Sequence, residues 1–114
     1  MAEIKCDVAG FEAVVVTIPD KWLYEHSIRY QAGLDNGPAL DEADIDAIAE
    51  NRLTYNTRLR TLYGTLAICQ VDGIEAACLA EPETAPLRYG AFFAWLLNTV
   101  FYGSYARAAN AEKN

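Results

Sequence analysis

The sequence is short of the residues from which catalytic chemistry is built. Its one histidine, His26, has no Cys or second His at ligand spacing, so no His-based metal site or catalytic triad can be assembled from it. No GxGxxG, P-loop or GxSxG occurs. The three cysteines, Cys6, Cys69 and Cys78, are odd in number and lack CxxC spacing. They read as small apolar residues of a reducing compartment, and that compartment argues against a Cys69–Cys78 disulfide. Lys and Arg never cluster, which removes the surface that tracks a phosphate backbone and predicts no nucleic-acid binding. The opening MAEIKCD carries Glu3, Lys5 and Asp7 and does not read as a signal peptide. Low-complexity tracts and internal repeats are missing too. Together these absences predict a cytoplasmic protein that is no enzyme and needs neither cofactor nor metal.

What remains is enough for one domain spanning residues 1–114: 53% hydrophobic and 22% charged is a globular balance, not a disordered one. The net charge of −7 is unevenly spread. Residues 1–50 hold eleven acids and three bases, giving −8, and residues 51–114 hold five acids and six bases, giving +1.

Along the chain, Glu3–Val8 alternates with Ile4, Cys6 and Val8 on one side, Ala9-Gly10 signals a turn, and Glu12–Ile18 is rich in β-branched residues. The pattern predicts a β-hairpin over 3–18, which must pack on helices or pair with another chain. Pro19 ends the second strand, and the Thr17/Asp20 spacing matches a capping box. A helix over 19–32 comes next, with Trp22, Leu23, His26 and Tyr30 on one side, ended by Gly33 and Asp35-Asn36-Gly37-Pro38.

A second helix is predicted over 41–71. Asp41, Glu42, Asp44 and Asp46 crowd its start, where the macrodipole favours anions. The cluster lacks the glycine and closing glutamate of an EF-hand, so it reads as solvated carboxylates. Ile45, Ile48, Tyr55, Leu59, Leu62, Leu66 and Cys69 form a seam of 3.5-residue period, interrupted only by Arg52, whose head either pairs across the core or reaches water. Ile48, Tyr55, Leu59, Leu62 and Leu66 are the expected core residues, and Gly64 suggests a kink or a close helix crossing. Val71-Asp72-Gly73 ends the helix, Ile74–Leu79 reads as a helical turn, and Glu81–Pro86 as a connector with Thr84 able to cap the last helix.

That last helix, predicted over 85–109, contains eighteen residues without a formal charge, Tyr89–Ala106, bracketed by Arg88 and Arg107. Doublets four apart, Phe92-Phe93, Leu96-Leu97 and Val100-Phe101, make one broad apolar stripe. At 1.5 Å per residue the stretch reaches about 27 Å, slightly short of a bilayer's hydrocarbon. Asn98, Thr99, Ser104 and the tyrosines dilute it, and the stripe is one-sided, so the sequence argues for a buried or partner-facing helix and no membrane span. Phe93, Leu97 and Val100 are the expected core residues. Trp95, Asn98, Tyr102 and Tyr105 on the other side are the expected partner-binding residues, unless the hairpin covers that side as well.

The short β-rich start with Gly10-Phe11, the Ile18-Pro19 step into a Trp-bearing helix, the two further helices and the closing Glu112-Lys113-Asn114 resemble the tail assembly chaperones of long-tailed bacteriophages. The resemblance covers the layout of most of the chain and implies a non-enzymatic protein of the host cytoplasm that coats a hydrophobic tape-measure protein. The expected fold is therefore α+β, mostly α: an N-terminal β-hairpin and three main helices. The expected function is a protein-binding module shielding hydrophobic segments of a tape-measure-type partner. The alternative is a self-associating structural subunit that uses the same apolar C-terminal helix on its own copies.

Overall fold

The computed structural model describes residues 1–112; Lys113 and Asn114, which contribute to the family resemblance, lie outside the described residues. It is α+β and mostly helical, with a small antiparallel sheet. The sheet has three strands, not two: β1 (Ala2–Lys5), β2 (Val15–Ile18) and β3 (Gln70–Asp72), in the order β1-β2-β3. Val16 pairs with Ile4 on one side and with Val71 on the other. β2 is thus the central strand, and its Val16 and Ile18 point into the core.

The connection between β1 and β2 contains the expected tight turn at Ala9-Gly10, but a second turn at Glu12-Ala13 follows it, so the strands are shorter and the loop longer than the hairpin pattern suggests. Three backbone hydrogen bonds shape it: Cys6 N–H to the Val14 carbonyl, Phe11 N–H to Val8, and Val14 N–H to Phe11. Gly10 supplies the left-handed backbone (φ 88°) that the turn requires. The loop drives Phe11 into the core, where it stacks on Phe92 (5.2 Å) and meets Tyr89 edge-on (5.0 Å).

Helix α1 covers Tyr24–Asp35, starting five residues later than the sequence pattern suggests. The Thr17/Asp20 cap is not used. His26 Nδ1 instead reaches back to accept the Leu23 N–H at 2.9 Å, and Asp20 binds the N-terminal ammonium at 2.7 Å. Trp22 therefore lies ahead of the helix.

The predicted helix over 41–71 is three elements: α2 (Glu42–Ala49), α3 (Tyr55–Ala67) and β3. The break is made locally. Asn51 adopts φ 58°, Arg52 N–H bonds the Ala47 carbonyl and Asn51 N–H bonds Ile48, which is the Schellman way of closing a helix. Thr54 then caps α3, exchanging hydrogen bonds with Thr57. The expected seam is real only beyond the break. Leu59 and Leu62 are buried, whereas Ile45 (58% exposed), Ile48 (49%) and Tyr55 (71%) are on the surface. Arg52 is no seam residue: it lies in the corner, exposed, with its Nε on Glu50 Oε2 at 2.8 Å. After α3 the chain joins the free edge of β2, and Gly73 (φ 96°) makes the exit because a Cβ there would meet the Ala13 carbonyl oxygen at 2.9 Å.

The close crossing expected at Gly64 is present, between α1 and α3. A Cβ on Gly33 would fall 2.8 Å from the Gly64 Cα, and one on Gly64 would fall 2.5 Å from the Tyr30 ring. Helix α4 (Ala76–Ala80) and a 3₁₀ turn (Pro82–Thr84) come next; Thr84 donates to the Glu81 carbonyl and caps nothing downstream.

The C-terminal helix begins at Tyr89 and runs as α5 (Tyr89–Leu96), a wide π-helical stretch (Leu97–Tyr105) and α6 (Ala106–Glu112). Phe92, Leu96 and Val100 are 0% exposed and lie with Val14, Val16, Ile18, Leu62 and Cys78 in one core. The three cysteines are free; burial pushes the Cys69 thiol up to about 12, which keeps it protonated and inert at neutral pH. Leu96→Ala should cost about 2–5 kcal/mol, while Ile48→Ala should stay within about 0.5 kcal/mol. Urea unfolding of the two variants checks this; equal losses would restore a continuous second helix with Ile48 inside.

Candidate functional site

The doublet pattern of the C-terminal helix gives two adjacent apolar lines about 100° apart. The core takes one of them, Phe92-Leu96-Val100. The expected core residues Phe93 and Leu97 belong to the other line, and the structure leaves them half-buried; only Val100 of that expected trio is fully inside. Phe93 and Leu97 form one wall of a groove of about 490 Å³, together with Gly90, Ala94, Asn98 and Tyr102. The facing wall is the first half of α3: Tyr55, Arg58, Leu59, Thr61 and Leu62. Pro82 and Glu83 of the 3₁₀ turn and Leu53 of the α2–α3 corner complete the lining.

Polar groups at the groove are mostly spoken for. The Thr61 hydroxyl donates to the Thr57 carbonyl at 2.8 Å. Glu83 accepts the Tyr63 hydroxyl at 2.7 Å, and burial, then the neighbouring carboxylate, push that phenol up to about 12. Arg58 is exposed and forms no ion pair among the described residues.

The sequence assigns four residues to a partner surface, and the structure divides them. Asn98 and Tyr102 stand on the groove, Tyr102 being 45% exposed. Trp95 is packed against the core with its ring stacked on Phe92 at 6.0 Å. Tyr105 lies in an aromatic cluster with Trp22 (5.3 Å), Tyr30 (5.1 Å) and Phe101 (6.2 Å), and its burial raises its pKa. Trp95 belongs to α5 and lies beside Leu96 on the side away from Leu97, whereas the π-helical stretch that follows explains the placement of Tyr105. The bonds of that stretch run i→i+5, so it adds one residue to the phase of the helix. After Val100 the residues turned inward are Ser104, which accepts the Trp22 indole N–H at 2.8 Å, and Tyr105; Arg107 stays outside. Gly103 suits the wide turn, since a Cβ there would lie 2.8 Å from the Asn98 carbonyl oxygen.

Tyr55, which the continuous-seam reading puts in the core, is a groove residue, as are Leu53 and Arg58, which that reading does not single out. Thr54-x-x-Thr57 is the sequence signal that finds them, because it moves the start of α3 to Tyr55 and changes the helix phase. The corner that presents them is clamped by Asp44. This buried carboxylate accepts the Thr54 hydroxyl at 2.6 Å, the Asn56 amide at 2.9 Å and the Asp41 N–H at 3.1 Å. These donors, Thr54 foremost, hold its pKa below the usual carboxylate range. The acidic start of α2 is thus partly a structural clamp joining α2 to α3, and not only a solvated cluster.

Among the described residues no group of three or more His, Cys, Asp and Glu could hold a metal ion, and no helix is long and apolar enough to cross a membrane. Comparison of the chain with protein-family models, curated proteins and solved structures finds no match.

Two outcomes are expected from this geometry. Trp95→Ala should lose about 2–3 kcal/mol of stability, less than the roughly 3–5 kcal/mol of a fully buried aromatic, whereas Tyr102→Ala should change it by no more than about 0.5 kcal/mol. Thermal melts of both variants decide it; a large loss with Tyr102→Ala would place that ring in the core. The second outcome concerns acid. A carboxyl whose folded pKa is depressed stabilises fully above its unfolded value and loses that contribution as pH falls through the folded value. The stability gap between wild type and Asp44→Asn should therefore be widest at neutral pH and close below the ordinary value of 3.8. Urea midpoints measured from pH 7 downward report it, and a gap independent of pH would remove Asp44 from the clamp.

Proposed function

We propose that the chain is a protein-binding module with no chemistry of its own, and that the groove between α3 and the C-terminal helix seats an apolar helical segment of another protein. One observation carries the reading. The groove is apolar along its floor, at Leu59, Leu62, Phe93 and Leu97, and its mouth leaves Leu53, Tyr55 and Tyr102 large and exposed. An apolar concavity rimmed by aromatics and a few polar groups is the shape into which an amphipathic helix lays residues i, i+3, i+4 and i+7. The polar-tipped tyrosines suit a surface that is wet when free and dry when occupied.

The β-rich start and the C-terminal helix keep part of the layout that resembles tail assembly chaperones of long-tailed phages, although Trp22 precedes α1 and the second helix is divided, and that part points in the same direction. Such a chaperone has to cover hydrophobic stretches of a long helical tape-measure protein, and a shallow groove that reads only an apolar stripe meets that need without fixing one sequence. In this reading Asn98 and Tyr102 contact the partner, Tyr55 and Leu53 join them, and Trp95 and Tyr105 support the helix that carries them.

The test is a fluorescence-anisotropy titration with a labelled amphipathic peptide of leucine, alanine, lysine and glutamate. Saturable binding is expected, weakened about tenfold or more by each of Tyr55→Ala and Tyr102→Ala, as for interface anchors worth upward of about 1.4 kcal/mol. Both side chains are exposed, so the fold should survive. Absence of saturation, or binding indifferent to both changes, overturns the reading.

A further inference from the structure

We propose that in the free protein the groove is capped by a second copy of the chain, each copy laying α2 into the other's groove. The inference rests on the reading of the groove as a seat for an apolar helix face, and it names that seat's resting occupant.

The first argument comes from α2 itself. Asp44 and Ala47 are its buried side, turned to the rest of the chain. Ile45 and Ile48, one turn apart, are on the surface, and Glu42 and Asp46 beside them are exposed as well. About half of each isoleucine is left uncovered by its own chain, Ile45 being 58% and Ile48 49% exposed. The helix is built as an apolar pair between carboxylates, which is the form of a docking ridge.

The second argument is charge. The groove holds two charged residues, Arg58 and Glu83. The Tyr63 hydroxyl holds Glu83 in place at the 3₁₀ turn and leaves its charge, while Arg58 on the α3 wall forms no ion pair among the described residues. Along the α3 wall the charge is therefore positive, and the complement that wall calls for is an apolar ridge with acidic flanks. α2 has that description, with Glu42 and Asp46 as the available carboxylates.

Length and placement agree. The α3 wall from Tyr55 to Leu62 is eight residues, and α2 is eight residues, each about 12 Å long. Ile45, Ile48, Leu53 and Tyr55 fall within a single stretch of eleven residues over the α2–α3 corner. The ridge and the Leu53-Tyr55 end of the groove are therefore joined by one short corner of the chain. A two-fold axis beside that corner brings both ridges to both grooves at once, as an isologous contact demands. The Asp44 clamp holds α2 against the start of α3 and prevents it from swinging back into its own groove.

Functionally, the arrangement hides the groove until a partner helix displaces α2, so that a protein made to cover apolar segments does not expose its own. Light scattering on the purified chain over a wide concentration series tests it. The expected result is a mass of two chains that falls to one on dilution. Ile45→Asp with Ile48→Asp should give single chains that still melt cooperatively, since neither side chain is buried, and whose melting temperature no longer depends on protein concentration. Arg58→Glu should weaken the dimer about tenfold, and Glu42→Arg added to it should restore the loss. A wild-type chain that stays single throughout overturns the proposal, as does a dimer that either variant leaves unchanged. The amphipathic peptide separates this inference from the proposed function. The Ile45→Asp/Ile48→Asp protein, its groove uncapped, should bind the peptide more tightly than wild type. Peptide binding by a chain that never dimerises sinks the self-docking alone, and a dimer whose uncapped variant ignores the peptide sinks the partner-binding reading alone.

Discussion

The rest of the structure depends on the burial of one line of side chains, Phe92, Leu96 and Val100, against the inner face of β2. All three are fully enclosed, as is Val16 opposite them. Complete burial of a Phe, a Leu and two Val side chains is worth about 1.5–3 kcal/mol each in transfer free energy, large beside any polar contact in the molecule. The line also fixes the rotation of a helix that is apolar on more than one side. Once Phe92, Leu96 and Val100 are inside, Phe93 and Leu97 are turned about 100° from the core and can only face α3 across a gap. The groove is a consequence of the same doublets that make the core.

The π-helical stretch belongs to the same constraint. In an unbroken α-register the core line would continue from Val100 through Gly103 or Ser104 to Arg107. An arginine driven inward without a carboxylate would cost several kcal/mol. The wider turns put Tyr105 on Trp22 and Tyr30 instead, and Trp22 closes the arrangement with its hydrogen bond to Ser104. Gly103 leaves the space that a Cβ would take from the Asn98 carbonyl oxygen in that stretch. The aromatic end of the helix, which on pattern alone suits an interface, is spent on anchoring α1.

How much of this is legible from the residues depends on the kind of signal each element carries. The β-rich start and the C-terminal helix rest on strong patterns and are present, while Gly64 alone leaves a kink or a close crossing open and the structure shows the crossing. The corner at Asn51 escapes the pattern because Ile45, Ile48, Tyr55, Leu59 and Leu62 mimic a heptad across two separate helices. Period alone cannot see a Schellman motif, whose signal is one asparagine able to adopt positive φ. β3 escapes it because a three-residue strand has too few residues to show alternation; it forms because β2 has an edge to satisfy, a tertiary cause. The groove falls between these cases. Its helix wall is visible as the doublet stripe, but a stripe does not say which of its two lines the core will take. That choice is made by the sheet, and Phe11, from a loop that reads as a simple turn, helps to make it.

The two walls of the groove are held by different forces, and that difference bears on what the groove can do. The C-terminal helix is fixed by apolar burial, which is strong and tolerant of small shifts. The α3 wall is fixed by contacts that are short and directional: the Gly33–Gly64 crossing, which leaves no room for a Cβ on either side, and the Asp44 clamp at its N-terminus. Backbone-to-backbone packing and a three-donor carboxylate permit little change in the distance between α3 and its neighbours. The groove is therefore preformed. In the proposed reading, a helix entering it loses its own freedom and displaces the capping α2, but it does not have to order the receiving surface, which removes one of the costs of binding. Adaptability lies instead at the rim, in Tyr55, Arg58 and Tyr102, whose exposed side chains can turn without disturbing the core. A rigid apolar floor under an exposed rim favours recognition of an apolar stripe over recognition of a particular sequence, which is the specificity that the proposed covering of apolar segments requires.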